Sequence, residues 1–125
     1  MLFRSGTVFR LNPDGTGYSV LKHFNYSQGA SPYAAPAVSG GLLYGTTYQG
    51  GTSGYGTVYQ MSTNGTGYAV LKNFTGSNGR YPQAGLTLLG CTLFGSTYSG
   101  GEVGYGVVFG MNLAQIGRAS WRERV

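Results

Sequence analysis

The chain has 125 residues, a formal net charge of +5, 24 glycines and 11 tyrosines, and only 9% of it is Lys, Arg, Asp or Glu. That composition excludes the Ala/Glu/Lys/Leu-rich helical classes, collagen (the glycines do not fall at every third position) and, at 14% aromatic residues, ordinary disorder. No run of about 18 apolar residues could cross a membrane as a helix, which leaves a turn-rich, tyrosine-rich all-β chain.

The two ends do not match the rest. Ile116-Gly117-Arg118-Ala119-Ser120 is what ATC-GGA-AGA-GCG-TCG of a sequencing adapter encodes, and one base change turns that adapter's next codon, for Cys, into Trp121. Leu2-Phe3-Arg4-Ser5 is encoded by CTC-TTC-CGA-TCT, the same adapter read from the opposite strand. Residues 1–5 and 116–125 are therefore expected to be adapter-derived and are set aside from the fold reading. Met1 to Ser5 leads into strand pattern without an apolar stretch, so no signal peptide is expected there. Without the ends, the cations are Arg10, Lys22, Lys72 and Arg80, the anions are Asp14 and Glu102, and the net charge is +2. Four scattered cations make no footprint for nucleic acid.

Between the ends the chain repeats every 50 residues without gaps. Gly6-Thr7-Val8-Phe9 returns as Gly56-Thr57-Val58-Tyr59 and as Gly106-Val107-Val108-Phe109. Residues 6–55 and 56–105 are identical at 24 of 50 positions. In chain order, residues 6–33 read as two outer strands and a crossover. Residues 34–83 read as a complete four-stranded unit with its crossover, and residues 84–115 as the inner strands of a further one. Within 34–83, Ala35 to Ser39 is a first strand, and Gly40-Gly41 makes a tight hairpin because two glycines accept positive φ. Leu42 to Tyr48 is a second strand, and Gln49 to Tyr55 a glycine-rich loop. Gly56 to Ser62 is a third, with Thr57, Tyr59 and Met61 on one face. The Asn64-Gly65 turn leads to a fourth strand, Tyr68 to Phe74. Thr75 to Gln83 is the crossover. Gly45 and Gly95, inside strands, point to close backbone approach.

Three hairpin-type links followed by one long crossover is the order of a β-propeller blade, and a period near 50 is also the kelch period. The expected fold is all-β: β-propeller-like, four-stranded antiparallel blades repeating every 50 residues, one complete and two partial. A β-helix fits less well because its coils are usually shorter. Open blade edges invite pairing with other chains, so this polypeptide alone is expected to fold poorly or aggregate.

The recurring Gly-Thr-Val-Phe/Tyr, Asp/Asn-Gly-Thr-Gly-Tyr, Val-Leu-Lys-x-Phe and Leu-Tyr/Phe-Gly-Thr/Ser-Thr-Tyr-x-Gly-Gly blocks span residues 6–112. Together they resemble the bacterial choice-of-anchor tandem repeat family called GloVer. That resemblance implies an extracellular or cell-surface, propeller-like array with no established chemistry, in proteins that end in sorting or anchoring signals.

Candidate chemistry is sparse. His23, the lone histidine, has Asn73 as its counterpart one period on, so it reads as a solvent-facing strand residue before it reads as a catalytic base. Asp14 has Asn64 as its counterpart, which favours a turn role over calcium ligation. Glu102 stands alone in a glycine loop, and Cys91, opposite Gly41, reads as a turn residue. Lys22 and Lys72 read as strand lysines with wet ammonium groups. Asn25, Asn64 and Asn73 begin glycosylation-type triplets that read as coincidences of a Ser/Thr/Asn-rich chain. The expectation is a non-catalytic structural or binding module, with no catalytic residue, cofactor or metal, no nucleic-acid partner, and a glycan or protein at the cell surface as its partner class. The competing reading is a piece of a propeller enzyme or carbohydrate-binding propeller whose active residues lie in other blades. The tyrosines flanking the glycine loops (Tyr48, Tyr55, Tyr98 and Tyr105) are read first as packing between blades, and second as a repeated ligand surface.

Overall fold

The structure, a computed structural model, describes residues 5–113 and the backbone of residues 121–124. It contains three antiparallel sheets. The first pairs β1 (Thr7–Arg10) with β2 (Ser19–His23). The second runs in chain order through β3 (Ala37–Ser39), β4 (Leu42–Thr47), β5 (Thr57–Ser62) and β6 (Ala69–Asn73). The third runs through β7 (Thr87–Leu89), β8 (Thr92–Ser96), β9 (Val108–Asn112) and β10 (Trp121–Arg124). Among the described residues, no helix is long and apolar enough to cross a membrane.

The turn chemistry accounts for the register. Gly40 and Gly41 both have positive φ, 58° and 77°, the geometry a two-residue hairpin needs, and Ser39 pairs with Leu42 across it. The 63–67 link closes through Gly65 N–H donating to Ser62 O at 3.0 Å. β2 and β6 each carry an extra residue opposite their partner strand, with the register shifting between Val8 and Phe9 and between Val58 and Tyr59. This bulge breaks the two-residue alternation expected along the outer strands, and it leaves Leu21 and Leu71 packed against the cores.

Two apolar clusters join the sheets face to face. Val8 and Phe24 of the first unit pack against Leu43, Tyr59 and Met61 of the second. Tyr44, Val58 and Phe74 of the second pack against Leu93, Phe109 and Met111 of the third. The same ring contact recurs at both junctions: Phe24 meets Tyr59 edge-on at 5.6 Å, and Phe74 meets Phe109 edge-on at 5.5 Å. β5 therefore has a sheet on each side. Val58 is fully buried along with Thr57, Tyr59 and Met61, where alternation had placed only the latter three on an inner face.

Gly45 and Gly95 lie opposite an aromatic residue, in the pairs Gly45↔Tyr59 and Gly95↔Phe109. A Cβ at either glycine would stand 2.5 Å from the Cζ atom of that ring. The glycines make room for rings that lie across the neighbouring strand.

The third sheet differs from expectation. Three inner strands were anticipated there, and it holds four. β10, inside the segment set aside as adapter-derived, pairs with β9 from Trp121↔Met111 to Arg124↔Val108. One complete and two partial units thus become two four-stranded sheets and one two-stranded sheet. The backbone ladder explains this, since an open strand edge accepts any extended segment whatever its side chains. β10 does not copy the β6 register. Val58 faces Lys72, whose counterpart one period on is Arg122, yet Val108 faces Arg124. Of the remaining suspect ends only Ser5 is described. It is buried, and its carbonyl accepts from Ser31 N–H at 2.7 Å.

Candidate functional site: a tyrosine-lined end of the sheets

The glycine-rich loops 49–55 and 99–105 come together with the crossovers 25–33 and 75–83 at one end of the sheets. Each loop docks on the crossover that precedes it. Ala30 and Gln49 exchange two backbone bonds (2.8 and 3.1 Å), and Gly51 N–H donates to Tyr26 O at 2.8 Å. One period on, Arg80 and Ser99 exchange bonds of 2.9 and 3.2 Å, and Gly101 N–H donates to Gly76 O at 2.9 Å. Beneath each loop a buried threonine closes the strands. Thr47 Oγ1 donates to Gln49 O (3.0 Å) and accepts from Thr57 N–H (3.1 Å). Thr97 Oγ1 does the same with Ser99 O and Val107 N–H.

Tyrosines line this end. Tyr48 stacks on Tyr81 (centroids 4.9 Å apart, planes at 22°) and meets Tyr33 at 5.0 Å. Tyr55 meets the edge of Tyr81 at 5.8 Å and carries the Arg80 guanidinium over its ring at 5.4 Å. Of the four tyrosines singled out in the sequence, Tyr48 and Tyr55 are half-buried and brought together by Tyr81 within the second unit, and only Tyr48 meets a ring of another unit, Tyr33. Tyr98 and Tyr105 are exposed. Tyr33, Tyr81 and Arg80 were missed. Their counterparts are Gln83, Ser31 and Ala30, so a search for repeating residues passes over them. Ser31 and Tyr81 each precede a proline yet hold the chain at positive φ (57° and 61°), away from the extended backbone such a residue usually adopts, so the sequence carried no signal for this geometry.

Beside Tyr33 a groove of about 310 Å³ runs along the free edge of β1, lined among others by Thr7, Phe9, Pro32 and Pro36. Its walls are apolar rings and prolines with backbone amides, and its lining contains no carboxylate, imidazole or thiol. The Thr7 and Tyr33 side chains bring hydroxyl groups to this lining.

The other candidates stand apart. Asp14 Oδ1 accepts from Thr16 N–H (3.0 Å) and from the Thr16 hydroxyl (2.6 Å), and that hydroxyl contact above all holds the carboxyl below its usual range. Asn64 makes the same two bonds to Thr66 at 3.0 and 2.6 Å, so the geometry is a turn that needs no charge. His23, Glu102 and Cys91 are exposed and separate. No group of three His, Cys, Asp or Glu residues suited to a metal occurs among the described residues. Lys22 differs from the expected wet strand lysine. Its ammonium lies 4.2 Å over the Tyr68 ring of the next unit and donates to Gln28 Oε1 at 3.1 Å. The side-chain oxygens of Asn25 and Asn73 accept from Gln28 N–H and Thr52 N–H, local roles that tie loops down.

A family model described as the Gloeobacter/Verrucomicrobia repeat matches residues 2–120. No curated protein and no solved structure matches the chain.

Proposed function

Since the chain belongs to the Gloeobacter/Verrucomicrobia repeat family, we propose that it is a non-catalytic repeat module of a bacterial surface or secreted protein, built from propeller-like blades and presenting a ligand surface at its tyrosine-lined end. One observation carries this reading. Successive units reproduce the same junctions, the same buried threonine device and the same loop docking, and each keeps a tyrosine on either side of its glycine-rich loop, Tyr48 and Tyr55 in one and Tyr98 and Tyr105 in the next. A constant scaffold that repeats the same rings at one end suits display. Tyrosine rings there suit a glycan or a protein surface, since they offer a broad apolar face with a polar tip.

A glycan array probed with the full chain tests the sugar reading. Retention that falls at least tenfold in Tyr98→Ala/Tyr105→Ala supports it, and no binding to any glycan removes it. The second reading, part of a propeller enzyme, is separated by the complete reading frame. A uniform run of these units ending in a sorting signal supports the display role. A unit with an unmatched His/Asp/Glu cluster supports the enzyme.

A further inference from the structure

The crossovers 25–33 and 75–83 follow one backbone course with different side chains. Ala30 and Arg80 make the same pair of backbone bonds to the loop that follows, to Gln49 and to Ser99. An alanine is enough for the fold at this position, so the long cation at 80 is not explained by it. The Arg80 guanidinium lies over the Tyr55 ring at 5.4 Å. Among the described residues it forms no ion pair, and its Nε is buried without a hydrogen-bond partner. Buried polar groups are nearly always satisfied, so a cation left in this state is short of an acceptor. Tyr81, next in the chain, holds a left-handed backbone (φ 61°), a strain that bulky residues carry preferentially at functional sites. Glycine stands at 76 where the preceding crossover has Tyr26, and a Cβ there would lie 3.3 Å from Tyr55 Cε2, so the glycine leaves room for the ring that carries the cation. The cluster lies in the second unit, with a described unit on each side.

We propose that Arg80 is the anion-binding group of the tyrosine-lined end, and that the glycan taken there carries carboxylates, as uronic-acid sugars do. The inference rests on the glycan reading above and narrows it. A guanidinium presents a planar fork of N–H donors that matches a carboxylate with two parallel bonds. The Tyr55 ring holds one face of that fork, which reduces the side-chain freedom lost on binding. Beside it the stacked pair of Tyr48 and Tyr81 supplies phenols, each an apolar body for the C–H face of a sugar and a hydroxyl tip for its hydroxyl groups.

The test is calorimetric titration of the full chain with polygalacturonate and with its methyl ester, the same polymer without the charges. The chain is expected to bind the acid roughly tenfold or more tightly than the ester. Arg80→Ala installs the residue that the same backbone already carries at Ala30, so the fold is kept, and it is expected to bring acid and ester to the same affinity. Arg10→Ala removes an exposed cation elsewhere and is expected to leave the preference for the acid unchanged. Equal binding of acid and ester by the parent, a preference that survives Arg80→Ala, or an equal loss in Arg10→Ala would each overturn the proposal. Tighter binding of polyglutamate than of polygalacturonate would overturn it as well, in favour of an acidic peptide. Ester binding that persists through these outcomes would leave the broader glycan reading standing, whereas no binding to either polymer overturns the proposal and, joined to a blank glycan array, that reading with it.

Discussion

Tyr59 shows how one atom can be at odds with its surroundings. Its ring is fully buried across Gly45, yet its hydroxyl has no hydrogen-bond partner among the described residues. Position 109, its counterpart, is Phe. A buried hydroxyl left unpaired costs roughly 1–3 kcal/mol. Tyr59→Phe is therefore expected to match or exceed the parent in stability at neutral pH. Burial pushes the Tyr59 phenol up to about 12, so the folded chain keeps it neutral at a pH where the unfolded chain ionises it. That stabilisation is intact below a pH of about 10 and is lost as the pH rises from there toward 12, at roughly 1.4 kcal/mol per pH unit. Burial raises the phenol of Tyr68 as well, so the variant should lose less stability than the parent between pH 8 and pH 11, without losing none. Urea melts at the two pH values check this, and equal losses in both proteins would place the alkaline sensitivity elsewhere.

At the scale of the element, the crossing of ring and glycine makes a sharp prediction. Gly45→Val places carbon atoms where the Tyr59 ring lies, and overpacking of this kind costs about 1–3 kcal/mol. The double variant Gly45→Val/Tyr59→Leu should recover part of the loss in urea midpoint. Strict additivity of the two single changes would mean that the pair carries no coupling. The strands themselves were legible in the sequence because turns announce themselves: Gly40-Gly41 and Asn64-Gly65 are local signals that set register without knowledge of the rest. Gly45 was legible for a similar reason, since a glycine inside a β-branched and aromatic run needs a spatial cause. Val58 on a second buried face was not legible, because its burial depends on a sheet from the following repeat. The bulge at Leu21 and Leu71 was hidden for the same reason, since an extra residue leaves no mark on a strand's own sequence. β10 was invisible because Trp121 to Arg124 lies outside the repeat and a backbone ladder asks for no side-chain pattern. Tyr81 and Arg80 in the candidate site were passed over because neither recurs one period earlier.

For the whole molecule, cohesion comes from neighbours only. Each sheet meets the one before and the one after, as in other repeat architectures whose stability sums over units and junctions. Phe24 carries the first junction by its edge contacts with Tyr59 and Tyr68. Phe24→Ala should remove about 3–5 kcal/mol from that junction. The two-stranded first sheet should then melt ahead of the rest, and hydrogen exchange should show β1 and β2 losing protection before β5 and β9. Uniform loss of protection across all sheets would show that the junction is not a separable unit of stability.

The joint between units has its own logic. At residues 31 and 81 the main chain makes the same tie. Ser31 N–H donates to Ser5 O and its carbonyl accepts from Tyr48 N–H, while Tyr81 repeats this between Tyr55 and Tyr98. A serine stands at one joint and a tyrosine at the other, and both hold the same left-handed backbone. The coupling is thus indifferent to the side chain, and a duplicated stretch of gene carries its own working connector to whatever copy it lands beside. Lengthening or shortening such an array asks for no matching mutation at the connector itself. The side chain at each connector is released to diverge, and it does so at the rim where the tyrosines gather, so growth of the array and change of its outer surface proceed through the same residue.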